Sequence, residues 1–218
     1  ACARILSISS PKTSVAGMTG TPASMATRRA LAEETGSILV FLPGQAEIRR
    51  TAEALSPIIG PDTDIAPLYG QLTPAEQDRA IQPAPTGRRK IVLATAIAQT
   101  SLTIEGVRIV IDSGLSRLPV YEPNTGLTRL ETRRVSRASA DQRRGRAGRT
   151  EPGVCYRLWH EGQTQSLPPF DPPEILQADL TDLVLDLASW GVTDPTTLAF
   201  LDSPPAPAWS EAVDLLQS

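Results

Sequence analysis

From Ser37 onward, short runs of branched apolar residues are each followed by a stretch of helical period, and this order constrains the fold more than any other feature. The run SILVFL at 37–42 is closed by Pro43-Gly44. An apolar run without alternation, ended by a turn pair, reads as a strand buried on both faces. Residues 45–55 place Ala46, Ile48, Ala52 and Leu55 at helical spacing. DIAPLY at 64–69 reads as a second strand. Thr73-Pro74-Ala75-Glu76 opens a helix that runs to about Ile81, with Thr as N-cap, Pro at the first position and Glu at the third. RKIVLA at 89–94 and VRIVI at 107–111 are a third and a fourth strand, the latter closed by Asp112-Ser113-Gly114. Strands that alternate with helices predict an α/β fold, a parallel sheet covered by helices on both faces.

The texture changes after Gly114. Residues 117–122 and 127–135 flank Pro123-Asn124-Thr125-Gly126, which predicts a β-hairpin. Residues 140–149 read as a short helix and 153–158 as a further strand. Pro168, Pro169, Pro172 and Pro173 mark a boundary. Beyond it Ile175, Leu176, Leu180, Leu183, Val184 and Leu187 recur at helical spacing, and Trp190 and Trp209 read as core. Residues 1–36, rich in Ser, Thr, Ala and Met, are expected to form a poorly ordered arm or truncated edge with a helix near 25–34. The expected organisation is therefore 1–36 as an arm, 37–163 as the α/β domain and 164–218 as a small C-terminal helical module.

Charge narrows the partners. The net charge is −3, unevenly spread: residues 1–36 carry four basic and two acidic side chains, 37–150 carry 16 and 11, and 151–218 carry one and 11. A basic middle and an acidic tail suit a polyanion at the middle only. Of the basic residues 19 are Arg, whose planar fork matches phosphate oxygens, although a GC-rich genome gives the same bias. Three each of Phe, Trp and Tyr are too few for an extended base-stacking platform. One His and two Cys with no CxxC spacing argue against a metal site on this chain. No apolar run approaches the ~20 residues of a membrane span, so no membrane partner is expected.

Two segments carry candidate chemistry. In QRRGRAGR at 142–149, a continuous helix would put Gln142, Arg146 and Arg149 on one face, with Gly145 and Gly148 leaving room for a second surface. An amide and two guanidiniums at one point suit a terminal phosphate, because Gln can orient a water and Arg can neutralise charge developing in phosphoryl transfer. The same residues also fit a solvated Arg/Gly segment that binds RNA loosely. The second segment, ATAIAQTSLTI at 94–104, follows a predicted strand and offers the hydroxyls of Thr95, Thr100, Ser101 and Thr103 where α/β sheets bind ligands. An ordinary Thr-capped loop is the alternative.

The series FLPGQAEI (41–48), LYG (68–70), ATAIAQTSLTIEG (94–106), IDSG (111–114) and SRASADQRRGRAGR (136–149) resembles the second RecA-like domain of DEAH-box ATP-dependent RNA helicases. The continuation GVCYRLW (153–159), PEIL (173–176) and LDSPP (201–205) resembles the bacterial HrpB branch, and the likeness extends over about residues 37–216. The resemblance implies a RecA-like sheet, with residues 164–218 opening a winged-helix module. It implies that Gln142, Arg146 and Arg149 face the ATP γ-phosphate, the two arginines as fingers. Thr103 and Glu105 would contact the nucleotide, Ile81 its base, and Thr95 and Ser101 the backbone of single-stranded RNA or DNA. The hairpin at 117–135 would lie beside the strand path as a wedge, and the protein would be cytoplasmic and bacterial.

Three departures from the family pattern stand out. Ala96 replaces a usual Asn, Gln99 a usual Glu, and Ile81 an aromatic that stacks on adenine in many relatives. The sequence also lacks any Gly-x-x-x-x-Gly-Lys-Ser/Thr loop and any Asp-Glu-x-His box. The phosphate cradle and the ligands for the Mg²⁺ of ATP are therefore expected on a first RecA-like domain outside this chain, which alone should not turn ATP over. A non-enzymatic RNA-binding or adaptor module is the rival reading.

Overall fold

The computed structural model describes residues 3–7, 20–100, 104–122, 127–148 and 151–217. They group into two compact units, residues 1–116 with 133–170, and residues 117–132 with 171–218.

The first unit is built on a six-stranded sheet in which every pairing is parallel. Its strands are β1 (Arg4–Ser7), β2 (Ser37–Phe41), β3 (Thr63–Leu68), β4 (Arg89–Ala94), β5 (Val107–Asp112) and β8 (Val154–Arg157), in the order β1-β8-β5-β2-β4-β3. Parallel neighbours need a crossover between them. Helices α1 (Pro22–Glu33), α2 (Gln45–Leu55) and α3 (Pro74–Ile81) and the single turn α4 (Ile97–Thr100) lie in those connections.

Successive strand residues point to opposite faces, and the core splits accordingly. Ile38, Val40, Ile91, Leu93, Ile109 and Ile111 face α1 and α2. Leu39, Phe41, Val92, Ala94, Val110 and Cys155 face Ala80 of α3, Ala98 of α4 and Ala147. Ala23, Ala26 and Ala30 are small enough to let α1 lie close on the sheet.

Local signals explain the helix ends. Thr21 caps α1 by accepting from Ser24 N–H at 3.1 Å, with Pro22 in the first turn. At α3 the Glu76 carboxylate accepts from both the N–H (2.9 Å) and the hydroxyl (2.7 Å) of Thr73, which holds it below the usual carboxylate range. Lys90 is buried and donates from Nζ to the carbonyls of Arg79 (2.8 Å) and Gln82 (2.6 Å), tying the end of α3 to the start of β4.

Two sequence expectations change here. Residues 4–7 form an edge strand rather than part of a disordered arm: β1 pairs with β8 from Arg4 to Ser7, so its partner lies some 150 residues on, beyond any local pattern. The helix expected near 25–34 begins earlier, at the Thr21-Pro22 signal.

The second unit holds most of the hairpin of β6 (Leu115–Glu122) and β7 (Leu127–Arg134), together with α6 (Thr181–Ser189) and α7 (Ala206–Gln217). Within it Tyr121 donates its N–H to Gln177 O (3.0 Å) and its hydroxyl to Glu211 (3.0 Å). Leu180, Val184 and Ala212 pack α6 against α7, with Trp209 partly buried beside them. Trp190, expected in the core, is 78% exposed, because it caps the end of α6 beyond the buried stripe. No helix among the described residues is long and apolar enough to cross a membrane.

Candidate nucleotide and nucleic-acid site

The site lies where β4 and β5 end. Past Ala94, Thr95 is half-buried and extends the sheet through its N–H to Leu68 O (3.1 Å). The chain then turns through Ala96 into α4, where Ala98 is fully buried and Gln99 stands at the surface of the turn. The matching wall is helix α5 (Arg137–Arg144).

Three sets of contacts fix α5. Its cap, Ser136, is buried and accepts from Ser139 N–H at 3.0 Å. The next two amides, of Arg137 and Ala138, donate to the carbonyls of Pro168 (2.8 Å) and Pro169 (3.1 Å), so groups left unpaired at a helix start find partners. Asp141 accepts from Arg157 Nη2 at 2.8 Å, which ties the helix to β8. Deepest is Arg143, 1% exposed: its Nη1 donates to Asp112 Oδ1 (2.8 Å) and Leu115 O (3.1 Å), its Nε donates to Gln99 Oε1 (3.1 Å), and its guanidinium lies 4.9 Å over the Phe41 ring. Asp112 is fully buried and also accepts from Gly114 N–H at 2.9 Å.

The helix expected over 140–149 is shorter and starts earlier. It stops at Arg144, with Gly145 as its C-cap; Arg146 and Ala147 then donate to Arg143 O and Arg144 O, each at 3.0 Å, in tight turns. Gly148 has φ of 73°, and a Cβ there would meet Gly153 N at 3.0 Å. Gln142 and Arg146 therefore do not share a helical face. They meet all the same, because both reach Gln99: the Gln99 amide donates to Gln142 Oε1 (3.0 Å) and Ser139 Oγ (2.7 Å), and Arg146 Nη2 donates to the Gln99 carbonyl. Gln142 is exposed and Arg146 half-buried.

Arg149, Ser101 and Thr103 lie outside the described residues. Glu105 is exposed just before β5, and Ile81 is half-buried at the end of α3, which Lys90 ties to the start of β4. Both therefore sit toward the amino ends of these strands, while Thr95, Gln142 and Arg146 sit toward the carboxyl ends. Six residues of strand separate the two levels, roughly 20 Å. The chain after β4 must return to the start of β5, a parallel strand of the same sheet on the far side of β2, so this connection runs from one end of the sheet to the other.

In the sequence Gln99 stands out only as a departure from a family pattern, yet it is the residue on which Arg143, Gln142 and Arg146 converge. Its partners lie 40 to 47 residues on, so no local signal marks the role. A further cavity of about 640 Å³ opens at the carboxyl ends of β2, β5 and β8, with Glu47, Arg50, Arg134 and His160 on a lining that also includes Leu42, Leu158 and Trp159. Among the described residues no group of three His, Cys, Asp or Glu could hold a metal ion.

The family model for the helicase conserved C-terminal domain matches residues 24–151, a span that takes in Ile81, Thr95, Gln99, Glu105, Gln142 and Arg146. The chain belongs to the helicase C-terminal domain family. It is 50% identical to the ATP-dependent RNA helicase HrpB of Escherichia coli (strain K12) over 194 residues, 89% of this chain and 24% of that protein. It is 43% identical to the human probable ATP-dependent RNA helicase DHX34 over 183 residues, 83% of this chain and 16% of that protein. A crystal structure of the E. coli DEAH/RHA helicase HrpB superposes with a TM-score of 0.89 at 45% identity, over 99% of this chain and 27% of that one. This helicase domain thus spans about a quarter of the bacterial relative and about a sixth of the human one.

Proposed function

We propose that the chain is the second half of the motor of an ATP-dependent, HrpB-like RNA helicase. A first RecA-like domain completes it and supplies the phosphate-binding loop and the Mg²⁺ ligands. The observation that carries this reading is the convergence of Gln142 and Arg146 on Gln99 at the ends of β4 and β5, where open α/β sheets bind ligands.

Bound ATP supplies the phosphoryl group whose transfer to water drives the motor. This chain's part is to place donors and positive charge against it. Arg146, with Arg149 three residues on, neutralises charge that grows on the γ-phosphate, and Gln142 lies beside them. Thr103 and Glu105 contact the nucleotide, and Ile81 gives its base an apolar surface. Thr95 and Ser101 hold the backbone of single-stranded RNA, or DNA, across the carboxyl ends. Opening and closing of the cleft moves that strand. Alone the chain is inactive.

The test combines this chain with the first motor domain of the E. coli relative. Arg146→Ala and Arg149→Ala should each lower kcat by about 10³-fold or more, the range for arginine fingers. Unchanged ATPase removes the finger role. The basic middle of the sequence supports an adaptor reading as well, in which RNA binding by the chain alone is salt-sensitive and ATP analogues have no effect once the first domain is present.

A further inference from the structure

The hydrogen bonds of Gln99 settle which way round two amides point. Arg143 Nε carries a hydrogen and can only donate, so the Gln99 atom facing it at 3.1 Å is the carbonyl oxygen. Arg143 is in turn held by Asp112 and Leu115. The Gln99 nitrogen therefore faces Ser139 Oγ and Gln142. A nitrogen that brings a hydrogen to Gln142 needs an acceptor, so Gln142 meets it with Oε1. The NH₂ of Gln142 is the end that points away, and no other described residue takes it up.

We propose that Gln99 is a positioning residue: through Gln142 it presents a pair of N–H donors, and not a carbonyl oxygen, to a ligand approaching α5. Arg146, which donates to the backbone carbonyl of Gln99, adds a guanidinium held by that residue. The amide NH₂ and the guanidinium match phosphate oxygens, which only accept, and themselves offer no acceptor to the hydrogens of a water. Gln142 is then a phosphate ligand in both ground and transition states rather than the group that orients the attacking water. This inference rests on the nucleotide reading of the site.

Gln99→Glu is the discriminating change. A carboxylate keeps the bond from Arg143 Nε and has no hydrogen to offer Gln142, so the Gln142 amide must turn over and show its oxygen. Two measurements follow. In this chain alone, ¹⁵N-resolved exchange of the Gln142 side-chain amide with solvent should slow by about tenfold in Gln99→Glu, the size expected of one new hydrogen bond. With the first motor domain of the E. coli relative added, the same variant should raise KM for ATP about tenfold and leave kcat within about twofold, the pattern of lost uniform binding. Gln142→Glu, at an exposed position, keeps an acceptor for Gln99 and removes the outward donors, so KM should rise by about tenfold there too. An unchanged exchange rate, an unchanged KM in either variant, or a fall in kcat with KM held overturns the proposal. A wild-type mixture without ATPase overturns the nucleotide reading instead, and the exchange measurement still decides the role of Gln99.

Discussion

Arg143 offers the sharpest stability test, because it is buried with a carboxylate that is fully buried as well. Replacing it with Met fills most of the space and removes one charge. Asp112 then keeps a negative charge in the core with the Gly114 amide as its remaining bond, and among the described residues its Oδ2 has no partner. Breaking a buried pair from one side costs about 3–5 kcal/mol. For a chain of this size that is a drop of roughly 6–20 °C in Tm. The assay is denaturant unfolding of the 218-residue chain followed by near-ultraviolet circular dichroism. Asp112→Asn in the same background removes the stranded charge while leaving an oxygen for Gly114. The double variant should therefore lose at least about 2 kcal/mol less than the two single losses added together. A single loss below about 1 kcal/mol, or strict additivity, would show that Arg143 and Asp112 do not depend on one another and would refute the argument.

Gly114→Ala should destabilise the first unit by at least about 1–3 kcal/mol in the same assay, because φ is 72° there and a Cβ would meet the Trp159 ring at 2.7 Å; a neutral result would contradict both causes. Burial pushes the Cys155 thiol up to about 12, so peptide mapping after iodoacetamide at pH 8 should find it unmodified in the native chain and modified in urea. Modification at equal rates in both states would place it at the surface.

Much of the fold could be read from sequence because its signals are local. β2, β4 and β5 are continuous apolar runs, as strands buried on both faces must be, and the Thr73–Glu76 signature opens α3. β1 was missed for the opposite reason: it is an edge strand with mainly exposed side chains, defined by pairing with a segment 150 residues away. At the site, the residue types of QRRGRAGR point to phosphate chemistry, but the helical face ends at Gly145, where the backbone leaves the helix. Gln142 and Arg146 come together through Gln99, and the sequence interval between 99 and 142 contains a strand and a hairpin that periodicity cannot fold.

The carbonyls of Pro168 and Pro169 have a consequence for how the first unit can be cut. Proline has no amide hydrogen to give, and at these two positions it is wanted for its oxygen alone. Trp159 and Leu167, packed on Val135 and Ala140, bring those oxygens to the start of the helix that carries Gln142. A truncation at residue 163, where composition shifts, would strip the lid from that helix and leave two N–H groups bare. The last few residues that look like linker are in this sense the first turn of the ligand-facing helix, supplied from the far side of the chain.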